Sequence, residues 1–284
     1  MSRLRWPTLL AVVGSLLISS GCMSMISNSM SKTLSNAILN QDDPALVRDG
    51  APAYLLLIDG LIMDSPDSEG LLVAGAKLNG AYASIFAEDK KRAKHMAAKA
   101  LRYARTAMCQ NQAEICKAEK GPFPAFKLSL QTASKSQLPV LFAYASSWAG
   151  QIQANSSDWL AIADMPRVEA LLERIIELDP DFENGQPHLY LGVMRSQIPP
   201  SLGGKPALGK SHFETAIRLS DGKDMMAKVM YAENYARLMF EQDLHDRLLQ
   251  EVLQGNPHVK GLTLTNTLAQ QRAEQLIQSG KDYF

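Results

Sequence analysis

Residues 167–180 read RVEALLERIIELDP. The apolar side chains of this stretch recur at the spacing of one helix face, and they are Val168, Leu171, Leu172, Ile175, Ile176 and Leu178. This spacing is typical of an amphipathic α-helix. Pro166 stands where the first turn of a helix tolerates proline, and Pro180 follows the last apolar residue. The stretch therefore predicts a helix that ends at Asp179-Pro180.

The same periodicity extends over most of the chain. It predicts further helices near residues 66–86, 88–109, 137–153, 206–219, 223–241, 243–254 and 262–279. Alternating runs of β-branched residues, which would indicate strands, are almost absent. We therefore expect an all-α chain without a sheet.

The predicted helices come in pairs with the rhythm of tetratricopeptide (TPR) repeats, which place small residues where two helices cross and a proline after the second helix. Leu172, Ile175 and Pro180 match the second helix of one unit. In the next unit Leu191-Gly192 matches the crossing, and Phe213 and Ala216 match the second helix. A third unit is Tyr231-Ala232, Tyr235, Leu249, Val252 and Pro257, and an earlier one is residues 78–82 with Ala93, Ala97 and Ala100.

Because a lone hairpin cannot bury its apolar face, these units together predict a TPR-like helical-hairpin array, an α-solenoid or bundle. The alternative is an irregular helical bundle. Gly192 and Phe213 are about five residues further apart than in a standard repeat, which indicates an insertion at Ile198–Pro206. The stretch 110–136 fits no repeat, since Gly121-Pro122-Phe123-Pro124 interrupts a helix, and we expect a long connection or a short helix there.

The first residues have the order of a lipoprotein signal. Arg3 and Arg5 precede a short apolar run, and three small residues at 19–21 precede Cys22. The apolar run is too short to span a bilayer. We therefore expect a signal peptide over 1–21 and an acylated Cys22 as the first mature residue. The alternative is an ordinary secretory signal followed by an incidental cysteine.

The remaining chain divides into a flexible tether over 22–44 and a TPR-like helical domain over 45–284. Residue 23 is Met rather than Asp, which in Gram-negative bacteria favours sorting to the outer membrane, with the domain facing the periplasm. Acyl chains on Cys22 would supply the membrane attachment.

The charge balance bears on the class of partner, and the cysteine spacing bears on a disulfide. The chain carries 29 Lys and Arg against 29 Asp and Glu. This balance gives no electrostatic reason to expect a nucleic acid as a partner.

Cys109 and Cys116 stand seven residues apart, and in an oxidising envelope a disulfide between them is expected. Two free buried thiols are the alternative.

No catalytic, metal or cofactor site is predicted. Gly203-Gly204-Lys205 superficially resembles a phosphate loop, but it lacks the earlier Gly and the following Ser or Thr. None of the five histidines has a metal-ligand spacing, and no Gly-x-Ser-x-Gly nucleophile elbow occurs. Glu173 and Glu177 look like a solvated helix face. Trp148 and Trp159 are expected in the core, and the alternative is that they contact a partner at the rim.

The insertion is the favoured interaction element, because loops on a rigid helical scaffold often bind partners. Its candidate rim residues for a partner or ligand are Pro199, Pro200, Leu202, Gly203, Gly204 and Lys205. The alternative is a purely structural turn.

Several segments in order resemble the T-component (TatT) family of lipoproteins, associated with tripartite ATP-independent periplasmic (TRAP) transporters. They are Tyr54–Leu61, Ser65-Pro66, Gly80–Ala83, Trp148-Ala149, Leu178–Pro180, His188–Gly192, Pro199–Pro206, Phe213–Ile217 and Leu264–Ala269. The most specific of these is the Pro-Pro-Ser-Leu-Gly-Gly-Lys-Pro insertion. The resemblance covers most of 45–284.

The resemblance implies a non-enzymatic homotrimer that docks the periplasmic solute-binding component of a TRAP transporter and provides a passage for an apolar ligand. A second hypothesis is a TPR-like scaffold for envelope protein assembly that binds no small ligand. A hydrolase would need a convergent nucleophile and base, and the sequence offers no such set.

Overall fold

The computed structural model describes residues 36–284, and over this range it contains α-helices and no strand. In chain order the helices are α1 (Pro44–Asp64), α2 (Glu69–Ile85), α3 (Lys90–Asn111), α4 (Ala113–Ala118), α5 (Phe123–Ser129), α6 (Leu138–Ala154), α7 (Trp159–Ile162), α8 (Met165–Leu178), α9 (Gln186–Arg195), α10 (Pro206–Leu219), α11 (Met225–Met230), α12 (Gln242–Gln254) and α13 (Thr263–Gly280). The predicted all-α fold is confirmed. The signal peptide, Cys22 and most of the tether lie outside the described residues.

The helices pack as consecutive hairpins. The pairs are α2 with α3, α6 with α8, α9 with α10, and α11 with α12, and α13 packs on the last pair. Each pair also contacts the next, through α3 with α6, α8 with α9, and α10 with α11. A π-helical turn over Tyr231–Ala236 extends α11. This is the expected TPR-like array, in which every hairpin buries its apolar face against its neighbours.

Two large clusters of buried side chains form the core. One runs from α1 to α9 and includes the fully buried Leu171, Leu172 and Ile175 of the stretch quoted first. The other joins α9 to α13 around Phe213 and Leu249. Since α9 contributes to both clusters, it couples the two halves of the array.

The crossing of α9 and α10 lies where the repeat pattern places it. A Cβ added to Gly192 would come within 2.9 Å of the Phe213 ring, so only glycine lets the two helices approach this closely. Phe213 itself is fully buried and stacks on Tyr231 of the next hairpin, with ring centroids 5.2 Å apart. Phe213 at this crossing therefore packs against the next repeat as well as within its own.

Helix α1 was not among the predicted helices. Asp43 caps its first turn by accepting from the backbone N–H groups of Ala45 and Leu46, and Pro44 occupies a first-turn position. The periodicity did not predict this helix because its apolar side chains occur all round it and not on one face. Val47, Leu55, Ile58 and Ile62 are buried, whereas Leu46, Leu56, Leu57, Leu61 and Met63 are exposed.

The stretch 110–136 contains two short helices, α4 and α5, and two 3₁₀ turns, where we expected a long connection or a short helix. It is fastened along α8 by two arginines. Arg167 donates to the carbonyls of Glu119 and Gly121, and Arg174 donates to the carbonyl of Ala133. Phe126 from this stretch is fully buried against Trp148, so the segment belongs to the core.

Candidate interaction surface

The insertion between α9 and α10 forms a compact turn. The carbonyl of Pro199 accepts from the backbone N–H groups of Leu202 and Gly204 at 3.0 and 3.1 Å, and the carbonyl of Pro200 accepts from Gly203 at 3.0 Å. Residues Pro200–Leu202 form one 3₁₀ turn. The turn thus brings the six candidate rim residues together.

Two glycines permit this turn. Gly203 has φ +84°, in the left-handed region that residues with a Cβ adopt at a cost. A Cβ on Gly204 would lie 1.7 Å from the carbonyl oxygen of Ile198, which is backbone and cannot move aside locally. The Gly-Gly pair therefore fixes the shape of the loop.

The tip of the loop presents apolar surface to solvent. The side chain of Leu202 is 76% exposed, Ile198 and Leu208 on either side are also exposed, and so are Pro200 and Lys205. The loop and the start of α10 therefore expose three large apolar side chains, Ile198, Leu202 and Leu208.

An open groove lies beside α10, lined by Lys210, by residues 240–244 and by Arg247. Phe240 is 71% exposed and has φ +56°, an unfavourable conformation for an aromatic residue. Its ring stacks on Tyr283 with centroids 5.7 Å apart. The sequence analysis missed Phe240, because no glycine or turn motif marks the left-handed position.

A further apolar tip lies at the same end of the array as the insertion. Arg195, the last residue of α9, pairs with Glu169 in the first half of α8. The segment before α8 and the loop after α9 therefore lie at one end. Trp159 in the former segment is 82% exposed, so its expected place in the core is wrong, whereas Trp148 is buried as expected.

The base of the insertion is held by charged groups. Arg195 donates to Glu169 at 3.4 Å and also bonds Glu173. Glu173 thus has a specific partner across the helix interface, unlike the solvated face expected for it. Glu177 is exposed and pairs with Arg174 on its own helix, as a solvated face would.

The other candidate residues are the three cysteines. The structure joins Cys109 in α3 to Cys116 in α4 by a disulfide, with Cα atoms 5.2 Å apart. Cys22 is not described. Between residues 36 and 284 no group of three or more His, Cys, Asp or Glu side chains is placed to hold a metal ion. None of the helices described there combines the length and apolar composition needed to cross a membrane.

A chain of stacked helical hairpins with an ordered apolar loop at one end has the architecture of the TPR-like interaction proteins. Within this class, a family model described as the TRAP transporter T-component matches residues 40–284. The chain therefore belongs to that family, a transport-associated component, as the resemblance indicated. A comparison with curated proteins gave no match.

Proposed function

We propose that this protein is the lipid-anchored accessory component of a TRAP-type transporter and docks the periplasmic solute-binding component at the insertion end of the array. The observation that carries the proposal is the family match, which includes all the helices from α1 to α13 and the insertion itself. The exposed Leu202 and Phe240 side chains supply apolar contact area of the kind that protein interfaces bury. The groove beside Phe240 is lined mostly by charged and polar side chains.

The position of the N-terminal segment supports this choice of surface. Asn40 accepts from the backbone N–H of Gly261, in the loop between α12 and α13. That loop lies at the end where α9 and α11 begin. Asn266 in the first turn of α13 bonds the backbone of Met225 and Lys223 at the start of α11, and Gln186 at the start of α9 bonds Asp224 at 2.9 Å. The insertion follows the opposite end of α9. A chain anchored through Cys22 would thus present the insertion away from its point of attachment.

Anchoring and location belong to the same proposal. Acylation of Cys22 would hold the protein on the outer membrane facing the periplasm, where a solute-binding component diffuses. The role requires no cofactor and no catalysis, since docking depends on surface contacts alone. The expected homotrimer and the passage for an apolar ligand remain predictions from the family resemblance.

Binding of a purified solute-binding component from the same organism tests the docking proposal. Leu202→Asp places a charge at the centre of the proposed contact, and we expect about a tenfold or greater loss of affinity. The measurement is calorimetric titration with the full chain in detergent. Mass spectrometry of co-purified small molecules, together with light scattering, tests the ligand and the trimer.

Leu128→Asp is the matched control, because Leu128 is 73% exposed but lies on α5. It should leave the affinity unchanged. Equal losses of affinity in the two variants would show that the insertion is not part of the interface. Absence of binding by the wild-type chain, with capture of only envelope assembly proteins, would instead favour the scaffold function.

A further inference from the structure

Two half-buried histidines meet across the α9–α10 hairpin. His188 on α9 and His212 on α10 have their Nδ1 atoms 2.8 Å apart. Arg195 places a guanidinium nitrogen 2.9 Å from the other ring nitrogen of His212, Nε2. Arg195 is held in turn by Glu169 and Glu173 of α8. The chain of contacts thus spans three helices.

This geometry determines where the protons are. An arginine side chain only donates, so Nε2 of His212 must accept from Arg195. A neutral His212 then carries its proton on Nδ1 and donates it to Nδ1 of His188. The proton of His188 must accordingly be on its own Nε2. The network is complete only when both rings are neutral.

Protonation of His212 would break this network. The added proton on Nε2 would point at Arg195, so two donors and two positive charges would face each other. The pKa of His212 is lowered to about 4, mainly by burial and then by the neighbouring Arg195 and His188. Burial and Arg218 of α10 lower the pKa of His188, opposed by Asp181.

We propose that the His188–His212 contact is an acid-sensitive joint, which holds α10 on α9 while both rings are neutral and opens on acidification. The loop that contains the insertion starts at Ser196, next to Arg195, and ends at Pro206, the first residue of the helix that carries His212. Opening of the joint therefore loosens the two helices between which the loop is held. The inference does not depend on which partner the loop binds.

The direction of the pH effect follows from linkage. A histidine in the open form titrates near its ordinary pKa of 6.5, whereas the closed form binds a proton only at lower pH. The closed form therefore loses stability as the pH falls from about 6.5 towards 4. Asp224, which bonds Gln186 on α9, acts in the opposite sense, because burial raises its pKa. A variant comparison is needed to isolate the histidines.

Hydrogen exchange of the full chain at about pH 7.5 and about pH 5 tests the joint, after correction for the intrinsic rates. For the wild type we expect the opening constant of residues 186–219 to rise about tenfold at the lower pH. In His212→Gln the amide oxygen can accept from Arg195 and the amide nitrogen can donate to His188. This variant loses the titration of His212 and keeps that of His188, so its opening constant should rise clearly less than that of the wild type.

His258→Gln is the control, since His258 is exposed in the loop before α13, and it should behave as the wild type. An equal rise in His212→Gln and wild type would overturn the proposal. Nitrogen NMR of the wild-type rings provides a test that needs no variant. Neutral His212 at pH 5 in the closed form supports the joint, and ordinary titration near pH 6.5 without opening contradicts it.

Discussion

At the scale of single residues, the carbonyl of Arg48 lacks its helical donor because the residue four positions later is Pro52. The hydroxyl of Tyr82 on α2 donates to this carbonyl at 3.3 Å. The proline therefore remains inside α1 without leaving a buried acceptor unpaired. Asp59 fastens the same helix to α3, through Lys99 and through the hydroxyl of Tyr103 at 2.8 Å. Burial, then the bond to Asp59, raises the pKa of Tyr103 to about 12.

The close approach at Gly192 gives a residue-scale prediction. Gly192→Ala should lower the free energy of unfolding by about 1–2 kcal/mol, because the added methyl group overlaps the ring of Phe213, which is enclosed on all sides. Urea unfolding followed by circular dichroism measures the change.

Gly150→Ala is the matched control in helix α6, where an added Cβ meets nothing within 4 Å. It should raise stability by about 0.5–1 kcal/mol through helix propensity. A Gly192→Ala variant as stable as this control would contradict the tight crossing.

At the scale of elements, α4 and α5 are too short to be stable alone, and their order comes from attachments. The disulfide joins the second half of α4 to the end of α3. Arg105 adds a second attachment, since it pairs with Glu119 just after α4. Arg167 and Arg174 then hold the following segment along α8.

The disulfide gives the element-scale prediction. Cys109 and Cys116 should resist thiol alkylation until a reductant is added, as mass spectrometry of the peptide 105–120 will show. Cys116→Ser should lower the stability by about 2–3 kcal/mol, the expected contribution of a cross-link that closes so short a loop. Immediate labelling of both residues in unreduced protein would favour the alternative of two free thiols.

At the scale of the whole molecule, the first and last parts of the described chain meet. Asn40 bonds Gly261 at 2.8 Å, and α1 contacts α13. The described part of the chain therefore begins at the end opposite the insertion. This arrangement separates the proposed attachment point from the proposed docking surface.

Attachment itself is tested by cell fractionation. Cys22→Ala removes the proposed acylation site, so we expect the protein to move from the membrane fraction to a fraction soluble without detergent. Cys116→Ser, which alters a cysteine unrelated to anchoring, should remain with the membrane. A Cys22→Ala protein that still requires detergent for extraction would contradict lipid anchoring.

Much of this fold could be predicted from the sequence because the signals are local. The helix at 167–178 and the crossing at Gly192 follow from the spacing of apolar and small residues within a few turns. The insertion at 198–206 was visible as an excess of residues between two repeat positions. Helix α1 was not predicted, because its leucines occur on the outward face as well as the inward one.

The sequence by itself determined the all-α class, the hairpin repeats and the position of the insertion, since periodicity and turn chemistry are short-range properties. Only the tertiary structure decided that His188 meets His212, that Glu173 pairs with Arg195 and that Trp159 is exposed. It also decided that Phe240 adopts a left-handed conformation beside the groove. These features depend on which helix faces lie together, and that choice is made by packing between residues that are distant in the chain.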